Sequence, residues 1–340
     1  VDPNNDTRRT ARSFVPGLLI SGAAVVVLVL VADPARAVEA LVTARPVELA
    51  AAVVVFVVAL GARAAASREL VDARTGLGGA FAALNIGYLF NNVLPLRLGE
   101  AARVVVLGRR SRLGVMGGAA AVAGERLLDL VMAATVLVTG LALVGVDTGW
   151  TPAAIAAPVS LIGVATLVVI ARRRHALAAF LEPRLARWPR LAGLAPRIAG
   201  ALDGLARPRR LASAVLWLGL SWLLGIVNFW LVLRAFIPDA PLAWAVFGIG
   251  VMAFGIALPS SPGAIGVYEA AWVGALALCG ADPARALAFA VASHALSFVI
   301  VCGFGLVALI REVPAGDGLV DRARMLLAGR TGPSGEEAAP

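Results

Sequence analysis

Runs of about twenty apolar residues, separated by short polar segments of which some are rich in arginine, constrain this chain more than any other feature. A helix rising ~1.5 Å per residue needs ~20 residues to cross a ~30 Å hydrocarbon core. Windows at 14–32, 46–62, 118–146, 151–171, 211–236, 242–258, 264–280 and 284–310 meet this requirement and predict eight spans. A ninth apolar segment, 77–108, is interrupted by Asn91, Asn92, Pro95, Arg97 and Glu100, so it cannot be one uniform lipid-facing helix. Composition agrees: with 60% hydrophobic and 15% charged residues, too few polar groups exist to cover a water-facing surface. The expected fold class is therefore all-α: a polytopic membrane helix bundle of about eight spanning helices plus a re-entrant helical hairpin.

Several chemistries drop out at once. The only cysteines, Cys279 and Cys302, lie in apolar stretches and do not suggest a disulfide scaffold. No CxxC or HExxH spacing occurs, so no zinc site is expected. All 30 basic residues are Arg, which removes Walker A loops, Schiff-base chemistry and lysine general bases. No cofactor is expected. Arg8, Arg9 and Arg12 before the first apolar run, and Ala35-Arg36-Ala37 after it, resemble a secretory signal with a cleavage site. Signal cores run ~7 to 15 residues, so 14–32 is read as an uncleaved helix.

Arginine placement sets the orientation, because short cytoplasmic loops carry the basic excess. Segment 172–210 holds ten Arg against Glu182 and Asp203, a net +8 of the chain's +9. Segments 1–13, 63–74 and 97–112 are also basic, whereas 33–48 and the turns around Asp147, Asp239 and Asp282 are acidic or nearly neutral. A multi-pass protein of the cell membrane with both termini cytoplasmic is predicted. The domains follow as a tail over 1–13, a transmembrane domain over 14–311 and a largely disordered tail over 312–340. Since 63–74 and 97–112 belong on one side, the piece between them must enter and return, breaking near Asn91 to Pro95. Within 172–210, Leu177, Leu181, Leu185, Trp188, Leu191 and Leu194 recur at helical spacing between prolines, the pattern of short amphipathic helices on an anionic leaflet. Nucleic-acid binding is not expected of such a patch in a lipid-embedded chain.

Charges inside membrane helices cost ~2.5 to 3.5 kcal/mol each on insertion scales, so they are functional candidates. Arg97, Glu100 and Arg103 recur every three residues after Pro95, and such a row could hold itself together while leaving a guanidinium fork for a phosphate. Solvated charges at an interfacial helix start explain the row equally well. Glu125 and Asp129 are four apart on one helical face, with Arg126 beside them; at this depth they need partners, and Arg97 or Arg103 would serve. Near the end of the chain, Ser261 and Pro262 look like a helix start whose amides at Gly263 and Ala264 point into a break, with Glu269 two turns inside. A lone acid there needs a cation, a proton or a substrate amine; an ordinary turn with a paired Glu is the plainer reading. His294, Asn85, Asn228 and Ser221 read as packing contacts, and Arg234 as a residue snorkelling at its helix end. The small-residue string Gly114, Gly117 and Gly118 signals close helix packing, within or between subunits.

Together these strings resemble a known family. NNVLPLRLGEAARVVVLGRR, then ERLLDL, then PSSPGAIGVYEAA are similar, in order and across about 14–310, to the flippase-like transmembrane domain of the lysylphosphatidylglycerol synthases. The resemblance places that family's motif positions on Asn92, Pro95, Arg97, Gly99, Glu100 and Arg103, then on Glu125, Arg126 and Asp129, then on Pro262, Gly263, Gly266 and Glu269. It implies substrate-binding roles for Asn92, Arg97, Glu100, Arg103, Glu125, Arg126, Asp129, Gly263, Gly266 and Glu269. Full-length synthases carry a soluble aminoacyl-transferring domain, whereas about thirty residues follow the last span here, so aminoacyl transfer by this chain alone is not expected.

The leading expectation is an integral membrane protein that binds and translocates a lipid headgroup, whether of a phospholipid, an aminoacylated phospholipid or a polyprenyl-linked lipid. No nucleotide, metal or nucleophile motif points to an enzyme. The alternatives are a membrane-embedded transferase and an accessory subunit that recruits a lipid-modifying synthase or glycosyltransferase. Membrane lipids are the expected partners, and a homo-oligomer is left open.

Overall fold

The computed structural model describes residues 20–71, 75–94, 98–111, 114–145, 172–185, 207–256 and 261–312, with isolated residues between 158 and 169. Among these, every regular element is helical. The helices are α1 (Ile20–Val31), α2 (Pro34–Val42), α3 (Pro46–Val71), α4 (Leu77–Val93), α5 (Gly99–Arg110), α6 (Gly114–Leu143), α7 (Arg174–Leu185), α8 (Pro208–Phe236), α9 (Leu242–Gly255), α10 (Val267–Leu278) and α11 (Pro283–Glu312). A single 3-10 turn over Pro262–Ala264 precedes α10. Most of the expected span 151–171, the residues 186–206 of the basic segment and the tail beyond 312 lie outside the described residues.

Of the described helices, α3, α6, α8 and α11 are long and apolar enough to cross a membrane. At ~1.5 Å per residue their 26 to 30 residues reach ~39 to 45 Å. Their outward faces are apolar: Val54, Leu216, Leu223 and Val299 are each more than half exposed, as lipid contact requires. The protein is thus a multi-pass helical membrane protein.

Two boundaries differ from expectation. The second span was expected to end at residue 62, where Arg63 closes the apolar window; α3 instead runs on to Val71 and carries Arg63 and Ser67 into the bundle. No proline falls between Pro46 and Pro95, so nothing in the backbone stops the helix where its hydropathy drops. The segment 77–108 holds the two helices α4 and α5, packed against each other; α4 runs on through Asn91 and Asn92 to Val93, so the break expected at Asn91 to Pro95 begins only after Val93. At 17 and 12 residues both fall short of ~30 Å.

Glycines let the backbones approach closely. A Cβ on Gly99 would lie 1.9 Å from the Gly87 carbonyl, which locks α4 to α5. One on Gly118 would lie 2.4 Å from the Val104 carbonyl, so the small-residue string packs α6 on α5 within the chain. Gly140 and Gly250 do the same between α6 and α9. The core has one centre around α3, α4, α5, α6 and the first half of α8, another around α1, α2, α9, α10, α11 and the second half of α8, and a smaller one between α3, α4 and α11.

Candidate functional site

Three helices each present two polar groups one turn apart: Arg63 and Ser67 on α3, Glu100 and Arg103 on α5, and Glu125 and Asp129 on α6. Helix packing brings these faces together. Glu125, 1% exposed, accepts from both Ser67 and Arg103, and Arg63 lies 3.2 Å from its other oxygen. Asp129 pairs with Arg63, accepts from Trp222 Nε1 on α8 at 3.1 Å, and takes Arg126 Nη1 at 3.3 Å. Arg126 in turn pairs with Glu100. Three guanidinium groups therefore balance three carboxylates across three helices, and α8 adds the Trp222 donor. Glu125 and Asp129 each serve more than one donor, which is what burial of ions demands, whereas Glu100 pairs with Arg126 alone.

Beside this network lies a cavity of about 410 Å³ between α3, α6, α8 and α9. Arg63, Tyr88, Arg126, Asp129, Ser221 and Asn228 provide its polar lining, and Phe56, Leu60, Leu130, Phe229, Ile249 and Phe254 its apolar walls. Leu130 and Phe254 are themselves partly open to the outside. A polar end with greasy walls is the shape of a site for an amphiphile.

The late motif forms a separate cluster. Its helix starts at Val267, not at Pro262, because Gly263, Ala264 and Gly266 all adopt positive φ. Gly263 and Gly266 take that conformation freely, whereas Ala264, at φ 57°, is unusual. Glu269 consequently sits in the first turn of α10 rather than two turns in. Its Oε2 accepts from the Gly266 amide at 2.7 Å, and its Oε1 lies 2.6 Å from His294 Nδ1 on α11. The expected open position for a substrate amine is thus occupied by His294, and the amides expected to point into a break belong to a 3-10 turn.

The hairpin tip joins this cluster. Asn91 Oδ1 accepts from the Gly99 amide at 2.9 Å and so caps α5, while Asn92 Nδ2 reaches Cys302 Sγ at 3.5 Å. The Asn92 carbonyl lies 3.5 Å from the position a Cβ on Gly263 would take, and the Ser261 amide donates to Ser21 Oγ of α1 at 3.0 Å.

Of the residues expected from sequence, Glu100, Arg103, Glu125, Arg126 and Asp129 meet in the network, but only Arg126 and Asp129 line the cavity. Asn92, Gly263, Gly266 and Glu269 lie in the late cluster and do not line it. Arg97 lies outside the described residues. Arg103 is 2% exposed and committed to Glu125 and Ser67, so the phosphate fork expected there is buried; the row on α5 is held by α6 rather than by itself. Sequence reasoning missed Arg63, Ser67 and Trp222. The four-residue spacing of Arg63 and Ser67 in an unbroken alanine-rich stretch was the available signal for the first two.

Comparison with known proteins agrees with this architecture. The family model for the lysylphosphatidylglycerol synthase TM region matches residues 15–305. A protein named glycosyltransferase AglD, from Haloferax volcanii, is 29% identical over 88% of this chain and 54% of its own length. The chain thus spans about half of that curated relative. No solved structure matches it. With most of its length matched, the chain belongs to the family of the lysylphosphatidylglycerol synthase transmembrane region.

Proposed function

We propose that the protein binds a lipid headgroup in the cavity between α3, α6, α8 and α9 and carries it between leaflets of the cell membrane. The observation that supports this most is the cavity itself, polar where it meets the ionic network and apolar along its walls. Arg126 is the phosphate-binding group in this reading: its side chain is 44% exposed and lines the cavity, while its guanidinium can exchange Glu100 for a ligand oxygen. Asp129 and Arg63 hold Arg126 and one another in place. The residues around Glu269 act as a junction between α10 and α11. Both termini and the basic 172–210 segment face the cytoplasm, where anionic lipid attracts the arginines. Membrane lipids and a separate lipid-modifying synthase or glycosyltransferase are the proposed partners.

The test is lipid movement in vesicles reconstituted with purified protein, using acyl-chain-labelled phospholipids and a membrane-impermeant quencher. Arg126→Gln is expected to slow movement by about 10-fold or more, the loss of one charge-assisted contact. Undiminished movement in that variant would remove the site from consideration. The name of the Haloferax relative favours a second reading, a membrane-embedded glycosyltransferase. Formation of a glycosylated lipid by the purified chain, lost in Asp129→Asn but not in a melting-matched control, would bring that reading forward.

A further inference from the structure

Glu269 and His294 form an acid-base pair of a kind the ionic network does not contain. Every carboxylate of that network is paired with a guanidinium, which never gives up its proton, so its charges are fixed. The partner of Glu269 is an imidazole, whose ordinary pKa of about 6.5 lets the charge of the pair change near neutrality. His294 lies within the thirty residues of α11, ~16 Å from one end and ~27 Å from the other, near the middle of a spanning helix. The two side chains are 13% and 11% exposed, so neither is sealed off. No other ion answers them. Of the helices packed around the pair, α1 and α9 carry no ionisable residue and α4 carries Tyr88 alone. The arginines of α8 stand at its two ends, at Arg209, Arg210 and Arg234, and α2 brings Glu39 and Arg36, the latter paired with Asp282. None of these pairs with Glu269 or His294 among the described residues. Tyr268, with its hydroxyl on Ser293, stacks on the His294 ring at 4.3 Å between centroids.

We infer that Glu269 and His294 form a proton-binding site linked to the headgroup cavity, so that a proton and an anionic head are carried in the same direction. This rests on the translocation reading above and names its energy source. The Gly266 amide, which donates to Glu269 Oε2, suits a carboxylate, so the imidazole carries the change. Its Nδ1 faces Glu269, and Nε2 has no partner among the described residues. Nε2 takes a proton from hydronium at one face of the membrane and returns it to water at the other. With that proton the pair is imidazolium beside carboxylate and neutral overall; without it the pair holds one negative charge, which is costly in apolar surroundings and repels a phosphate. The link to the cavity is short. Trp272, one turn along α10 from Glu269, packs on Phe229 of the cavity wall with ring centroids 4.8 Å apart. Helix α9 meets α10 through Gly248 and Gly255 and lines the cavity with Ile249, Met252 and Ile256. Across one helix diameter, ~10 Å, unit charges at an effective dielectric of ~20 alter each other's binding by about 10-fold.

The experiment follows acyl-chain-labelled phosphatidylglycerol, a probe whose phosphodiester does not titrate near neutrality, in vesicles that enclose a pH-sensitive dye. The vesicles carry the wild-type protein, Glu269→Gln or His175→Gln. The wild type is expected to move the lipid about 10-fold faster at about pH 6 than at about pH 8. Acid outside is expected to speed inward movement, with the interior acidifying in step with lipid entry, and a protonophore to abolish that acceleration. Glu269→Gln never holds the negative charge, so it is expected to move the lipid at one rate at both pH values, close to the wild-type rate in acid, and to ignore the gradient. A merely structural role for Glu269 predicts slower movement at both. His175→Gln, at the exposed imidazole of α7, is expected to keep the wild-type pH response. Wild-type movement indifferent to pH and to the gradient would overturn the proton site while leaving the translocation reading intact. So would a pH response that survives in Glu269→Gln, or a uniform fall in that variant. If Glu269→Gln does not fold, the dye decides with wild type alone: lipid entry without acidification overturns the coupling. Movement of no lipid at either pH would overturn the translocation reading, and this inference with it.

Discussion

The two acidic clusters solve the same problem in different ways. Glu125 and Asp129 are neutralised by groups from three other helices, with partners 58 to 93 residues away for Ser67, Arg63 and Trp222. Glu269 is satisfied by its own helix start and by His294, 25 residues on in the next helix. The first arrangement ties distant parts of the chain into one unit, and removing Glu125 strands the buried Arg103 without a counter-charge. The second is local, and much of what Glu269 does is to cap a helix. The ionic network therefore acts as the structural anchor of the cavity, and the late cluster as a junction between neighbouring helices.

Substitutions can break or sharpen that contrast. Glu125→Leu, which leaves Arg103 buried without a counter-ion, is expected to destabilise the protein by ~3 to 5 kcal/mol, read from thermal unfolding in detergent. Pairing it with Arg103→Met should recover a large part of that loss, and a simply additive double variant would show that the two do not act as a pair. Trp222→Phe keeps the ring but removes the donor to Asp129; a loss of ~1.5 to 3 kcal/mol is expected from the same melt. Gly99→Ala pushes a Cβ into the Gly87 carbonyl and should cost ~1 to 3 kcal/mol by forcing α4 and α5 apart, visible as faster hydrogen exchange at the hairpin. The smallest effect is expected of Glu269→Ala, ~0.5 to 2 kcal/mol for a lost helix cap. If Glu269→Ala unfolded the protein as readily as Glu125→Leu, the late cluster would be an anchor too and the contrast would fail.

The residues that were legible in advance are those whose partners are set by local geometry. Glu125 and Asp129 share a face because helical residues four apart always do, and their burial called for a cation that Arg103 supplies. An interruption after α4 was readable because proline removes a backbone donor and restricts its neighbour, although the helix holds Asn91 and Asn92 and ends only at Val93. Arg63 was not legible as a partner, since a charge at the end of an apolar window looks the same whether the helix stops or continues. His294 was read as a packing contact, and what hid its partner was the start of α10, set by positive φ at Gly266 rather than by Pro262.

The amino-acid order alone determined that this chain lives in lipid as helices, because hydrocarbon offers backbone amides no other partner and twenty-residue apolar runs satisfy them internally. It also marked Glu125 and Asp129 as charges stranded there, though not Arg63. Only the tertiary structure decided which of those charges meet. Ion pairing depends on the distance between helix axes, and that distance is set by where Gly99, Gly118 and Gly140 allow one backbone to rest against another.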